Sequence, residues 1–537
     1  RYPIQWAGWR GPVNWGLPIT FTLGVVKPAN TEAIDWPDMK DDMRPDALDP
    51  ATWDVLWQSF TAEAGSTWGS YVDMLQENAV YLGRQGLWVN DIGELLGFEF
   101  AQADGLNVVR TLAASTDAHV VAPGLDISFE RSYGQSISDR YALGDLGYGW
   151  SHNWDYRLAF EADGTIRMQG PGGSRRTYQP DSRHNRPYFS MEGDFATFQA
   201  VSGGYRHTES NGYVRFFDSA GVLGYVEDTN GNRVTCTYTG DHLTRLEHTS
   251  GDFLDIAWSG DRIASITDSL SRQTVYTYDA SGEYLVNALF YDGSDVAYTD
   301  ELGGTLAQRH ALTSITFSGD THQHFDWHDT GRLAAIHRDG GAEPVSWTYG
   351  GSGQVFIADA FGETSSYYLN QDGLLVRATD PQGDEMRLLY DGDNSLTGVI
   401  DPAGKSYRYA YDGTGNLTQM TDPLGYVTRL SYDGPYNRLT PLVDANGNIT
   451  RYDYEADGDL TNITYDDLSS ETWTYDESGN PTSWVNRRGN GLPDDPAHPP
   501  RIDEHIINYE YDDAGRLAAK AYADGSLVEY YWDGRGN

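Results

Sequence analysis

The chain of 537 residues has one cysteine, Cys236, so no intramolecular disulfide framework holds it together. Cys236 lies in the strand-like run Val234-Thr235-Cys236-Thr237-Tyr238, without the helix N-terminus that would activate a thiol, and reads as a small packing residue. No run of 18 apolar residues exists, which argues against membrane insertion through a helix. Basic side chains are scarce: 37 Lys and Arg face 79 Asp and Glu, giving 37 − 79 = −42. Such a surface repels phosphate backbones and anionic lipid, so nucleic acid is not a partner class. The acidity is spread along the chain rather than gathered in a tail, which suits a solvated surface in an extracellular setting. Chemistry-bearing motifs are missing as well. There is no Gly-x-Ser-x-Gly elbow, no His-Glu-x-x-His, no phosphate loop and no dinucleotide fingerprint. Among 79 carboxylates, pairs at glycosidase spacing arise by chance and define no site. No catalytic residue, cofactor or enzymatic activity is assigned.

Glycine (60) and tyrosine (37) are abundant, and an internal repeat explains both. Leu396 opens LTGVIDPAGKSYRYAYDGTGN, Leu417 opens LTQMTDPLGYVTRLSYDGPYNR, Leu439 opens LTPLVDANGNITRYDYEADGD and Leu460 opens LTNITYDDLSSETWTYDESGN. The spacings are 21, 22 and 21 residues, and looser copies start at Val222, Ile263, Leu312 and Leu517. Each unit holds two short strands and two turns. Asp401-Pro402-Ala403-Gly404 and Asp422-Pro423-Leu424-Gly425 have Asp first, Pro second and Gly fourth, the preference set of a type I turn. An alternating aromatic strand follows, and a second turn closes the unit at Tyr411-Asp412 to Gly415-Asn416, again at Tyr475-Asp476 to Gly479-Asn480. Gly425 closes its turn, so Gly425→Val should cost more than a change at Thr428, taken as exposed. A lone hairpin cannot bury its apolar face, so the units must stack into one sheet. The fold class is mostly β: a β-hairpin spiral with a small mixed α/β N-terminal region.

The Tyr-Asp…Gly-Asn pattern followed by a Leu-led strand resembles the YD repeats of the RHS family, which also occur in teneurins and in the B and C components of Tc toxins. A second resemblance lies in Ile127-Ser128-Phe129-Glu130-Arg131-Ser132-Tyr133 and in LGDLGYGWSHNWDYRLAFEADG, residues 143–164, similar to the segment that leads into RHS arrays. The resemblance implies a hollow shell, or part of one, in which wound strands enclose a C-terminal toxin or, in teneurins, support adhesion. The chain divides into four segments: 1–48 as an N-terminal β/linker segment and 49–107 as a helical segment, read from composition and helix signals, then 108–212 as a β-rich lead-in and 213–537 as the YD array, where the resemblance lies. The chain closes inside a repeat and opens at Arg1, so both ends are expected to be cuts from something longer. Every Asp-Pro-x-Gly is followed by another repeat, so the boundary that ends family shells before a variable C-terminus is not visible.

In the first segment, residues 1–26, with Trp6, Trp9 and Trp15, read as short strands and turns, and 27–50 as an acidic, Pro-rich linker. Asp49-Pro50 predicts a capped helix with Trp53, Leu56, Trp57 and Phe60 on its buried face. A second helix is predicted from Ser66 to a stop at Gly86, with Tyr71, Val72, Leu75, Ala79 and Leu82 on one face, and a third over about 91–103.

His322, His324 and His328 in THQHFDWH fall on one face by strand alternation, and imidazole at that spacing is metal-ligating chemistry. His328, however, occupies the Asp slot of a closing turn, so no metal is assigned. The Asp-rich turns lack the ladder of an EF-hand, and turn chemistry accounts for each Asp without calcium. The sequence thus predicts a non-catalytic, secreted or cell-surface shell scaffold. Its partners would be a downstream effector domain or other chains of the same shell. The alternative is a teneurin-like adhesion module, with cell-surface glycan or protein as its partner.

Overall fold

The computed structural model describes residues 31–44, 48–89, 91–181, 188–490, 502–512 and 515–532. The strands and turns expected over 1–26 lie outside the described residues. Four helices come first: α1 (Trp36–Met43), α2 (Pro50–Ala64), α3 (Trp68–Arg84) and α4 (Ile92–Ala103). Asp49 caps α2 by accepting from the backbone N–H of Ala51 and Thr52, with Pro50 at the first helical position. Trp53, Leu56, Trp57 and Phe60 are all buried in a cluster with Tyr71 and Leu75.

Two expectations fail here. The stretch 27–50 is not wholly a linker, because α1 forms inside it. The Trp36 indole donates to Gly65 O at 2.8 Å and its ring meets Trp57, Phe60 and Tyr71 edge-on, so tertiary contacts of this half-buried ring hold a helix that local composition disfavours. On α3 the exposed residue is Ala79, and Asn78 takes the buried position. Asn78 lies inward because its amide meets Glu99 and Gln102 of α4 in a buried polar triad (Nδ2 to Glu99 Oε2, 2.6 Å; Gln102 Nε2 to Asn78 Oδ1, 3.1 Å).

Next come β1 (Thr111–Val120) and β2 (Ile127–Gly134), an antiparallel pair extended by Trp150–His152, and a four-stranded sheet over Arg157–Ser190. From Thr197 to Glu529 the chain forms one antiparallel sheet of 31 strands in strict sequence order. Its first and last strands do not pair, so it is not a closed barrel. The sheet curves around the lead-in segment. Thr274 and Tyr276 bond to Asp117, Tyr298 to Arg131, and Ala307 and Gly331 to Arg140, so array strands far apart in sequence meet one small element. The face they present is therefore concave.

The winding also returns on itself. Asn437 Nδ2 donates to Ser210 O (2.8 Å, 227 residues apart), Asn230 Nδ2 to Asp459 Oδ2 (3.1 Å, 229 apart) and Asn232 Nδ2 to Ser478 O (2.9 Å, 246 apart). A single core joins Tyr81, Leu82 and Phe98 of the helices, β1 and β2, and array residues through Val355. Beyond Val376 the only buried apolar residues among those described are Val485 and Ala519.

Candidate functional site

The repeat unit is built from three local devices, and the first is a carboxylate clamp in both turns. Asp401 Oδ1 accepts from Lys405 N (2.8 Å), Asp422 Oδ1 from Leu424 N and Tyr426 N (2.9 and 2.8 Å) and Asp412 Oδ1 from Thr414 N and Asn416 N (2.9 and 3.0 Å). Asp476 holds Ser478 N and Asn480 N in the same way, each at 2.9 Å. Where Asn follows Gly, its amide closes the ring, as Asn416 Nδ2 does to Asp412 Oδ2 at 3.1 Å. At Asp412 burial opposes ionisation, but these hydrogen bonds outweigh it and hold the carboxyl below its ordinary value. Pro402 and Pro423 supply the second turn position, and Gly404, Gly415, Gly425 and Gly479 the fourth, with φ of +74°, +79°, +86° and +81°. The result is a type I turn followed by a left-handed residue.

Open space surrounds a Cβ built on Gly425, so any cost there is backbone strain alone. Gly425→Val is expected to destabilise by about 1–3 kcal/mol. Leu468 occupies the same slot with φ +66° and is 54% exposed, so Leu468→Gly is expected to stabilise by about 1 kcal/mol. Denaturation midpoints moving in the same direction for both would refute the common geometry. Thr428, taken as exposed in sequence, is half-buried because it shares the inner face with Leu430 and Tyr432, so exposed Arg429 is the proper control.

The second device is a latch. Tyr411 OH donates to Leu396 O (2.9 Å), Tyr475 OH to Leu460 O (2.8 Å) and Tyr454 OH to Leu439 O (2.9 Å), each 15 residues back. Trp258, Trp327 and Trp532 use their indole N–H at the same offset, to Leu243, Leu312 and Leu517. The slot therefore selects a long aromatic donor. Tyr411→Phe is expected to cost about 1 kcal/mol, and Tyr411→Trp less, because only the first removes the donor. Equal melting-point losses would count against a latch.

The third device is a bulge beside each closing turn. Tyr411 pairs with Leu417 while Ala410 pairs with Gln419, so Thr418 is the extra residue, and its hydroxyl donates to Ala410 O at 3.1 Å. Thr397 and Thr461 do the same to Leu389 O and Asp453 O. A bulge repeated at the same place in each unit adds twist in one sense, which accounts for steady winding.

Outside the repeat, the densest buried electrostatics join β1 and β2 to the array. Arg131 Nε donates to Asp117 Oδ2 (2.6 Å), Tyr276 OH to the same oxygen (2.5 Å) and Arg131 Nη1 to Tyr298 OH (2.7 Å), with both charged side chains fully buried. Burial alone would lower the Arg131 pKa, but Asp117, Tyr298 and Tyr276 offset it and raise it. Nearby, Asp300 Oδ1 is shielded from solvent and accepts no hydrogen bond, and burial, aided by the charge of Asp279, pushes its carboxyl up to about 8. The Arg131–Asp117 network carries no sequence pattern beyond the Arg-Ser-Tyr of β2, because its two tyrosine partners each lie more than 150 residues away.

The metal candidates divide. His322 and His324 lie side by side on one strand, with ring centroids 5.6 Å apart. His328 is not with them. It sits in the closing turn, where its backbone N–H donates to Arg332 O and its Nε2 contacts Trp347 O at 3.1 Å, because the strand ends at Trp327 and the turn redirects the side chain. Asp339 and His337, from the neighbouring strand and the turn after it, join the pair instead.

Clamp, latch and bulge together define a β-hairpin repeat scaffold that winds by adding identical units. Comparison with known proteins agrees with that class. The family model described as RHS Repeat matches residues 390–427 and 411–449, and a model described as Domain of unknown function (DUF6531) matches 110–178. Residues 390–449 therefore carry RHS (YD) repeats. No curated protein matches the chain in sequence. Among solved structures it is similar to TcdB2-TccC3-TEV, at 13% identity and a TM-score of 0.43, covering 89% of this chain and 30% of that one. It is also similar to TcdB2-TccC3 without the hypervariable C-terminal region (13% identity, TM-score 0.38, 94% and 30% covered). The Photorhabdus luminescens Tc holotoxin pore gives 12% identity, a TM-score of 0.34, and 94% and 30% coverage. The chain thus spans about a third of the length of those chains.

Proposed function

We propose that the chain is a non-catalytic wall segment of a secreted or cell-surface RHS shell, whose concave face encloses or displays an effector segment outside these residues or meets other chains of the same shell. One observation supports this above others. Through Val355 the concave face is covered by the lead-in segment and helices, whereas from Tyr407 onward its aromatic side chains (Tyr407, Tyr409, Tyr452, Trp473 and Trp484 among them) are only half-buried, with no covering layer among the described residues. An apolar lining that its own chain leaves uncovered suits a cargo or a continuing wall. Small-angle scattering of the 1–537 chain is expected to give a pair-distance distribution shifted outward from that of a solid particle of the same mass. A solid-particle profile, or specific self-cleavage found by mass spectrometry, would overturn the reading.

A second reading, adhesion, rests on the turn tips. Phe361 and Leu424 stand 92% and 82% exposed at the third position of their Asp-x-x-Gly turns, where no fold requirement places an apolar side chain. If the tips bind a cell-surface protein or glycan, Phe361→Ser with Leu424→Ser should abolish capture on cells while leaving the melting point unchanged. Undiminished capture would remove the support the tips give.

A further inference from the structure

We propose that His322, His324 and Asp339, with His337 beside them, form a binding site for a borderline divalent transition-metal ion, of which Zn²⁺ is the type. The strand Thr321–Trp327 turns Phe325 into the core, so His322 and His324 share its outward face. His324 is the direct cross-strand partner of His337, and their ring centroids are 5.1 Å apart. Asp339 opens the turn after the second strand and reaches back. The backbone N–H of His322 donates to Asp339 Oδ2 at 2.9 Å, which fixes the carboxylate and leaves Oδ1 between the two rings, 2.9 Å from His322 Nδ1 and 3.4 Å from His324 Nε2.

Three features favour a metal over a row of surface ion pairs. One donor atom from each of His322, His324 and Asp339 lies within 4.8 Å of the others. Donors on a tetrahedral ion with bonds of about 2.0–2.1 Å stand about 3.3–3.4 Å apart, so small side-chain rotations complete the set. One carboxylate oxygen serves two imidazoles at once, and one cation between them would satisfy all three donors. Finally, His337 Nδ1 lies 3.0 Å from Arg338 O, an arrangement that places the ring proton on Nδ1 and frees the Nε2 lone pair. Asp320 faces the outer nitrogen of His322, Nε2, at 3.8 Å, as an outer carboxylate, while Asp326 lies 3.4 Å from His337 Nε2 on the side an ion would take and is a further oxygen donor there. Two or three imidazoles with one or two carboxylates select a borderline ion over Ca²⁺ or Mg²⁺, which prefer all-oxygen sites.

The test is calorimetric titration of untagged 1–537 chain with Zn²⁺ in physiological salt and excess Mg²⁺, the Mg²⁺ occupying scattered carboxylates. Co²⁺ is then added in parallel and its visible d–d absorption recorded. One site per chain that survives Mg²⁺, with a tetrahedral Co²⁺ spectrum, is expected. His322→Ala and His324→Ala should each weaken Zn²⁺ binding by more than the roughly 10–100-fold that losing an outer partner costs, and His337→Ala should weaken it measurably. Without metal, all three variants should melt close to the parent, since these side chains are only half-buried and face outward from the core. Zn²⁺ binding that Mg²⁺ displaces, or that the His322→Ala, His324→Ala double variant retains, would overturn the proposal.

Discussion

Asp117→Asn is expected to lower stability by about 3–5 kcal/mol, the largest loss anticipated for a single substitution in this chain. The change is nearly isosteric, and Tyr276 OH can still donate to the amide oxygen. What it removes is the only carboxylate, among the described residues, bonded to the fully buried Arg131 guanidinium, whose Nη2 has no partner among them. An uncompensated buried cation is more costly than the pair is favourable. Two comparisons isolate the cause. Asp126→Asn removes the charge from the exposed His119–Asp126 contact, where each side chain is almost half accessible, and should cost no more than about 1 kcal/mol. Removing both charges with Asp117→Leu and Arg131→Met should recover much of the loss. Chemical denaturation measures all three. An Asp117→Asn midpoint no lower than that of Asp126→Asn would show that the network does not pin the lead-in segment to the array.

The second large effect is a pH dependence of unusual sign. Asp300 titrates at about 8 in the folded chain against 3.8 ordinarily, because burial disfavours its charge and Asp279 adds to that. Between these values the folded state holds a proton that the unfolded state has released. Asp300's contribution is therefore fully present below pH 3.8 and is lost as pH rises through about 8. Asp300→Asn carries no such proton. It should match the parent near pH 4 and become progressively more stable than the parent toward pH 8, by up to about 1.4 kcal/mol per pH unit and on the order of a few kcal/mol in all. Melting points of the two proteins across that range provide the check, and parallel profiles would show that Asp300 is hydrated when folded.

The repeat was legible in the sequence because each turn is a local problem. Asp must hold backbone N–H groups two and four residues on, and Gly must supply a positive φ, so Asp401, Gly404, Asp412 and Gly415 advertise their roles at short range. The latch was visible only as a surplus of tyrosine, since its acceptor lies 15 residues back on another strand. Trp258 and Trp327 look like exceptions until the indole N–H is seen to do the same work. The Leu-Thr pairs marked the unit without disclosing that Thr is the bulge. Pairings across strands and across segments left no trace at all. Counting in twos groups His328 with His322 and His324 past a strand that ends at Trp327, while Asp339 belongs with them through a hairpin. Likewise Asn78 and Ala79 both fit a helical face, and only the amide contacts to Glu99 and Gln102 decide between them.

The loops that meet after one winding have a further consequence. A separation of 229 residues at about 21 per unit places roughly eleven units between Asn230 and Asp459, so these rim loops are registered against loops one winding on, as in meshed gearing. Excising one whole unit, residues 417–438 for example, would leave every hairpin locally intact. It would nonetheless advance all later loops by one notch, so that Asn230 and Asn232 faced the wrong neighbours. Duplications and losses of units are thereby tolerated by the strand ladder but counted by the rim, and circumference becomes a quantity that the array measures for itself.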